Sequence, residues 1–196
     1  MYRIYETGIE TIAAAVVLIP VLLLLNRTRF HDRDRTIVYC FFALYLAAMY
    51  DVAGLPHVLH FRFDPNYNFR PFAYMFSDFE NSFLNVVLFF PLGFALPLLW
   101  AKYKAPWRTV LFGFLVSVSI ETLQLFSFRA TDINDLMTNT LGTLLGYLAG
   151  RITLKLVPSV VPEKNTRELY LLFGLVFCVM FFMQPFLSPL IWAILL

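Results

Sequence analysis

Ser82-Phe-Leu-Asn-Val-Val-Leu-Phe-Phe-Pro-Leu-Gly-Phe-Ala-Leu-Pro-Leu-Leu-Trp-Ala101 runs for 20 residues without one ionisable side chain. A helix needs about 20 mostly apolar residues to cross the hydrocarbon of a bilayer. No apolar/polar alternation with tight turns appears in this stretch or elsewhere, so a membrane β-barrel is not expected. The rest of the chain has the same character. It is 60% hydrophobic, 18% aromatic and only 14% charged, with mean hydropathy +0.71. Soluble domains carry about 25% charged residues, so neither an ordinary soluble domain nor a disordered chain fits. Two cysteines among 196 residues exclude a disulfide scaffold and a cysteine-rich metal module. The net charge of +2 is too small to suggest a nucleic-acid partner. The composition therefore predicts an all-α integral membrane protein, a bundle of about six transmembrane helices with short loops, forming a single membrane domain over residues 1–196.

Five further spans surround the quoted one. They are Ile4 to Leu25, weakened at its start by Glu6 and Glu10, then Thr36 to Leu55, Trp107 to Phe126 and Asp135 to Leu156, and a last one from near Leu169. The first does not read as a signal peptide, because an acidic flank precedes it and no small-residue cleavage site follows. Pro185 and Pro189 are expected to kink or end the last span, in the C-terminal membrane segment 157–196. Pro91 and Gly93 are expected to break the third span locally. Cys40 and Cys178 lie in apolar runs and read as buried small hydrophobes.

Lys and Arg set the orientation. Arg27, Arg29, Arg33, Arg35, Lys102, Lys104, Arg108, Arg151, Lys155, Lys164 and Arg167 place eleven basic residues on one side. The other side has Arg3, Arg62, Arg70 and Arg129. The positive-inside rule makes the eleven-residue side cytoplasmic and both termini extracytoplasmic.

A few polar residues interrupt the apolar pattern, and such groups usually face a bundle interior or a cavity. Asp51 lies near the outer end of span two. Asn81 and Asn85 are one turn apart at the outer start of span three. Ser117, Glu121 and Gln124 share one face of span four. The link that follows reads Ser127-Phe-Arg129-Ala-Thr131-Asp132-Ile-Asn134-Asp135, with Asn139 one turn later. On the helical rise of 1.5 Å per residue, Glu121 lies roughly 7–8 Å below the outer end of its span, Asn139 about 6 Å below Asp135, and Asn85 about 5 Å below Ser82. The three share one shallow level. The short link makes spans four and five antiparallel neighbours, which brings Glu121, Gln124, Arg129, Asp132, Asp135 and Asn139 close together.

Each of these residues also has a scaffold role open to it. Asp132 and Asp135 can cap a helix, Glu121 can pair with Arg129, and Asn85 and Asn139 can bond helix to helix. Gly142, Gly146 and Gly150 recur every four residues, a stripe that admits another helix closely. The loop Pro56–Glu80 carries Phe61, Phe63, Tyr67, Phe69, Phe72, Tyr74, Phe76 and Phe79, rings that favour the headgroup level, and it is expected to roof the cluster. His57 and His60 have the spacing of a metal pair but no third ligand, so neither a metal nor a cofactor is expected.

At these residues the chain resembles the VanZ family, small membrane proteins of bacteria. The matching segments are Asn85-Val-Val-Leu-Phe-Phe-Pro91-Leu-Gly93, Glu121-Thr-Leu-Gln124, Arg129-Ala-Thr131-Asp132-Ile-Asn-Asp135 and Asn139-Thr-Leu-Gly142. Asn68-Phe-Arg-Pro71-Phe72 resembles the family's Pro-Phe loop. The resemblance covers about residues 36–152, a core of four spans. It implies a fold of several membrane helices and a link to glycopeptide antibiotics. The namesake is associated with teicoplanin resistance by a route that leaves the cell-wall peptide terminus unaltered, and many relatives have no known role.

Three functions follow from the residues. The first is a non-enzymatic protein in the bacterial cytoplasmic membrane. It would bind a membrane lipid, a lipid-linked envelope component or a lipoglycopeptide at the outer leaflet, through Asn85, Glu121, Gln124, Arg129, Asp132, Asp135 and Asn139. Arg129 would meet phosphate or carboxylate. The second is an enzyme acting on a lipid-linked precursor through Glu121, Asp132 and Asp135, although no familiar nucleophile arrangement is present. The third is a structural organiser of a wall-synthesis complex, docking through the glycine stripe. No internal repeat supports a transporter.

Overall fold

Among the described residues four helical runs are long and apolar enough to cross a membrane: Glu6–Phe30, Arg33–Val52, Phe79–Leu99 and Arg167–Ala193. The computed structural model describes residues 2–64, 66–72, 79–127, 129–157 and 162–195. Its helices are α1 (Tyr2–Leu25), α2 (Arg33–Val52), α3 (Phe79–Leu99), α4 (Pro106–Gln124), α5 (Ile133–Leu156), α6 (Arg167–Cys178) and α7 (Gln184–Leu195). The chain is an all-α membrane protein, as its composition predicts, and the helix ends fall within a few residues of those read from the sequence. Local chemistry sets several ends. Asp32 caps α2 by accepting from the Arg35 backbone N–H at 3.0 Å. Pro106 opens α4 at a position where its missing N–H costs nothing.

The first unit comprises Met1–Arg62 and Arg167–Leu196. Ala13, Ala14, Leu18 and Leu22 of α1 are fully buried at helical spacing, and Leu169 and Leu172 of α6 are equally inaccessible. The Tyr39 hydroxyl donates to Glu168, and Arg35 bridges Asp32 and Glu168. Several polar groups within the spans of this unit pair with one another. Thr7 donates to Asp51 at 2.6 Å, and Glu10 accepts from Gln184 and Ser188 of α7.

Pro185 and Pro189 do not end the last span. A π-helical turn, Val179–Met183, lies between α6 and α7 and shifts the register just ahead of Pro185. Pro185 cannot donate to the Phe181 carbonyl, and that oxygen instead accepts the Val58 N–H at 2.9 Å. The two cysteines also depart from expectation: Cys40 is half-buried and Cys178 exposed. A thiol behaves as a small hydrophobe, so an apolar run does not say which face of a membrane helix it takes.

The second unit is Phe63–Thr166. Here α3 runs unbroken through Pro91 and Pro97, so the expected break at Pro91 and Gly93 does not occur. The glycines explain why: α3 lies against α5 backbone to backbone. A Cβ on Gly142 would meet Val86, one on Gly146 would meet Phe90 and Phe94, and one on Gly150 would meet Phe94. The numbers rise together, so α3 and α5 are parallel. Gly93 in turn faces the backbone of Thr143. The contacts of α4 with α5 run the other way, from Gly113 against Thr143 to Ser117 against Asn139, and these two helices are antiparallel as predicted.

Candidate functional site

Nine of the eleven buried polar side chains among the described residues belong to the second unit, and most lie on α4 and α5. The 19 residues of α4 and 24 of α5 suffice in length to cross a bilayer, yet both helices fall short of α3 in apolarity because their packed faces are polar. Ser117, Glu121 and Gln124 are buried on α4, and Asn134, Thr138, Asn139 and Thr143 on α5.

The link between them explains the convergence. Thr131 and Asp132 are extended and pair in parallel with Tyr67 and Asn68, register Tyr67↔Thr131 and Asn68↔Asp132. The Thr131 N–H donates to the Asn66 carbonyl, and its hydroxyl donates to the Glu121 carbonyl at 2.9 Å. One turn inside the end of α4, Glu121 is 7% exposed, and its Oε2 accepts the Asp132 N–H at 2.8 Å. Asp132 is the N-cap of α5. Its Oδ1 accepts from both the backbone N–H and the Nδ2 of Asn134, and its Oδ2 accepts from Asn68 Nδ2 at 3.1 Å. Its carboxylate is thus used on both oxygens by the fold.

Asp135, Asp132 and Arg129 are all close enough to Glu121 to act on it electrostatically. Gln124 follows one turn on, 4% exposed, and its carbonyl accepts the Ser127 N–H. Asn139 Nδ2 donates to Ser117 Oγ at 2.9 Å, tying α5 to α4 one turn deeper than Glu121. Its Oδ1 is buried and makes no hydrogen bond among the described residues, and the same holds for Asn85 Nδ2 on α3. Asn85 precedes Val86, which abuts Gly142, so it stands near the level of Asn139.

The aromatic loop reaches this site by a route its composition does not reveal. The Phe72 backbone N–H donates to Asn134 Oδ1 at 2.7 Å, and Phe72 takes a left-handed conformation, φ 62°. A bulky residue adopts that region only where its surroundings hold it there. Tyr67 and Phe69 pack at 5.1 Å between centroids, Phe63 lies 5.5 Å from Phe126, and the rings of Tyr67, Phe69 and Phe72 are exposed. Tyr74 and Phe76 lie outside the described residues, and Phe61 belongs to the first unit, against Phe181.

Sequence reasoning passed over Asn68, Thr131 and Asn134 as members of the site and gave Ser117 no role in it. The Asp132–Asn134 spacing is that of a side chain bonding the backbone two residues on, a signal present in the link. Among the described residues no three His, Cys, Asp or Glu side chains converge as metal ligands.

These features define a polytopic helical membrane protein whose polar core is built at one helical hairpin. The VanZ/LLP1 family model matches residues 36–154, more than half of the chain and all but the last two residues of this hairpin, and the chain belongs to that family. Neither a curated protein nor a solved structure matches it.

Proposed function

We propose that this protein lies in the bacterial cytoplasmic membrane with its basic loops inside and both termini outside. There the α4–α5 hairpin binds a lipid-linked or acylated envelope ligand at the outer leaflet and contributes to glycopeptide tolerance. The observation that carries the reading is unspent hydrogen-bonding capacity around a buried carboxylate. Asn139 Oδ1 and Asn85 Nδ2 are buried without partners among the described residues, near a Glu121 whose Oε2 accepts the Asp132 N–H. Each such atom costs about 1–3 kcal/mol if left unmet. A ligand head bearing amides, hydroxyls or phosphate would meet them, with Arg129 and Asp135 at the rim and the rings of Tyr67, Phe69 and Phe72 beside its acyl part. Asp132 would position the site without touching the ligand, because both its oxygens are already engaged. Family membership supports the antibiotic connection as an expectation.

The organiser reading loses its sequence argument. The stripe Gly142, Gly146 and Gly150 is filled by α3 of the same unit, so it offers no free groove to a partner helix.

The test is teicoplanin and vancomycin susceptibility with and without the protein, alongside Glu121→Gln and Arg129→Ala. Loss of a teicoplanin phenotype at unchanged membrane expression supports the binding site. Loss of expression in both variants would instead make Glu121 and Arg129 a structural clamp.

A further inference from the structure

The turn between α1 and α2 is independent of the α4–α5 hairpin. It is a five-residue π-helical turn, Asn26–Phe30, that ends at His31 with φ 52°. It is pinned from within. The His31 N–H donates to the Asn26 carbonyl at 2.8 Å, and the Asp32 N–H donates to Asn26 Oδ1 at 2.8 Å. Thr28 Oγ1 donates back to the Leu24 carbonyl. The backbone is therefore set before anything binds.

The charges on this turn are divided unequally. Arg35 is engaged with Asp32 and Glu168. Arg27, Arg29 and Arg33 are exposed and make no hydrogen bond or ion pair among the described residues. Against these three guanidiniums stands one exposed carboxylate, Asp34, in the same stretch. Leu23, Leu24, Asn26 and Arg27 line one shallow open concavity of about 410 Å³, and the two leucines are 57% and 60% exposed. A guanidinium and an amide next to bare leucines at the end of an apolar span match an amphiphile with an anionic head. The leucines make free phosphate the poorer fit, since they offer it nothing.

We infer that the Asn26–Phe30 turn is a binding site for the phosphate head of an anionic phospholipid, held by Arg27 and steered by Arg29 and Arg33, with an acyl chain along Leu23 and Leu24. Guanidinium matches phosphate geometry and is weakly hydrated. Each basic residue near a bilayer surface adds about fivefold to the affinity for anionic lipid.

The full-length protein in a neutral detergent is titrated with short-chain phosphatidylglycerol, phosphatidylcholine of equal chain length, and inorganic phosphate. Binding is read by native mass spectrometry and by the rise in Tm. Phosphatidylglycerol is expected to bind and stabilise, and Arg27→Gln to weaken it about fivefold or more. Adding Arg29→Gln and Arg33→Gln should weaken it further, and binding should fall as salt rises. Lys102→Gln, in another loop, serves as the control for general charge loss and should leave binding within twofold of wild type. Equal binding of phosphatidylcholine, an equal effect of inorganic phosphate, or wild-type affinity in the triple variant overturns the site. If Arg27→Gln does not fold, the salt dependence and the comparison of the three ligands on the wild-type chain decide the matter alone.

Discussion

The parallel packing of α3 on α5 makes a sharp demand on one atom. A Cβ built on Gly146 would clash with the Phe90 carbonyl oxygen and would lie 2.8 Å from Phe94 N and 2.9 Å from Phe90 C, against an ordinary contact range of 3.4–4 Å. All three neighbours are backbone, so no side chain can swing aside, and the helices must part by roughly half an ångström or more. A gap of that size forfeits a quarter to a half of each dispersion contact it opens. The loss extends along the interface, because Gly142 and Gly150 sit on the same stripe. Overpacking of a tight core costs about 1–3 kcal/mol, and an unyielding neighbour puts Gly146→Ala at the upper end, about 2–3 kcal/mol. The molecule supplies its own control. Gly174, also inside a helix, has nothing within 4 Å of the Cβ it would gain. Gly174→Ala should be neutral or stabilising by up to about 1 kcal/mol, through helix propensity alone. The two variants are compared by SDS titration from a mild-detergent micelle, with circular dichroism reporting helix loss. Gly146→Ala unfolding at the wild-type SDS fraction, or no earlier than Gly174→Ala, would refute backbone-to-backbone contact between α3 and α5.

Asp132→Ala removes the cap of α5 and the tie to Asn68 and should cost about 1–2 kcal/mol, whereas Asp132→Asn keeps a capping oxygen and should stay within about 0.5 kcal/mol in the same titration; equal losses would mean that the cap is not what Asp132 supplies. The proposed orientation places Ala130, exposed beside Arg129, outside the cell. A cysteine there, with Cys40 and Cys178 replaced by Ala, should react with an impermeant maleimide in intact cells, and labelling only after lysis would reverse the topology. Burial, followed by the charge of His60, holds the imidazole of His57 below its ordinary value of 6.5. The folded chain then binds fewer protons than the unfolded one, so this stability is present above 6.5 and fades as pH falls through the folded value. Thermal unfolding at pH 7.5 and 5.5 should show a smaller acid penalty in His57→Asn than in wild type, and an identical penalty in both would remove His57 as a cause.

What was legible in the sequence follows from which interactions are local. Apolar length marks a spanning helix with no reference to neighbours, so Ser82–Ala101 identified the class and the helix ends came close. Pro185 does not end the span, because the carbonyl a proline orphans need not stay unmet: Phe181 O finds Val58, more than a hundred residues away in the chain. The glycine stripe announced a close approach without naming the helix that makes it, since the pairing of Val86 with Gly142 and Phe90 with Gly146 is a property of register in space. The two-residue bridge of Tyr67–Asn68 with Thr131–Asp132 is too short to leave a periodic signal.

The site divides along the same line. Glu121, Asp132 and Asp135 were found because a carboxylate in hydrocarbon is costly enough to need a reason. Thr131 and Asn134 were passed over, and Ser117 was placed on the face of Glu121 without a role, because a small neutral polar residue can satisfy itself locally. Thr138, Thr140, Thr143 and Thr153 each donate to a carbonyl one turn back in α5, which leaves their type uninformative about position. Asn139 is the exception that such local bonding cannot absorb. Its amide reaches across to Ser117 and still leaves an acceptor without a partner among the described residues, and it is this remainder, with Asn85 Nδ2, that separates a merely well-tied hairpin from one with capacity for a ligand.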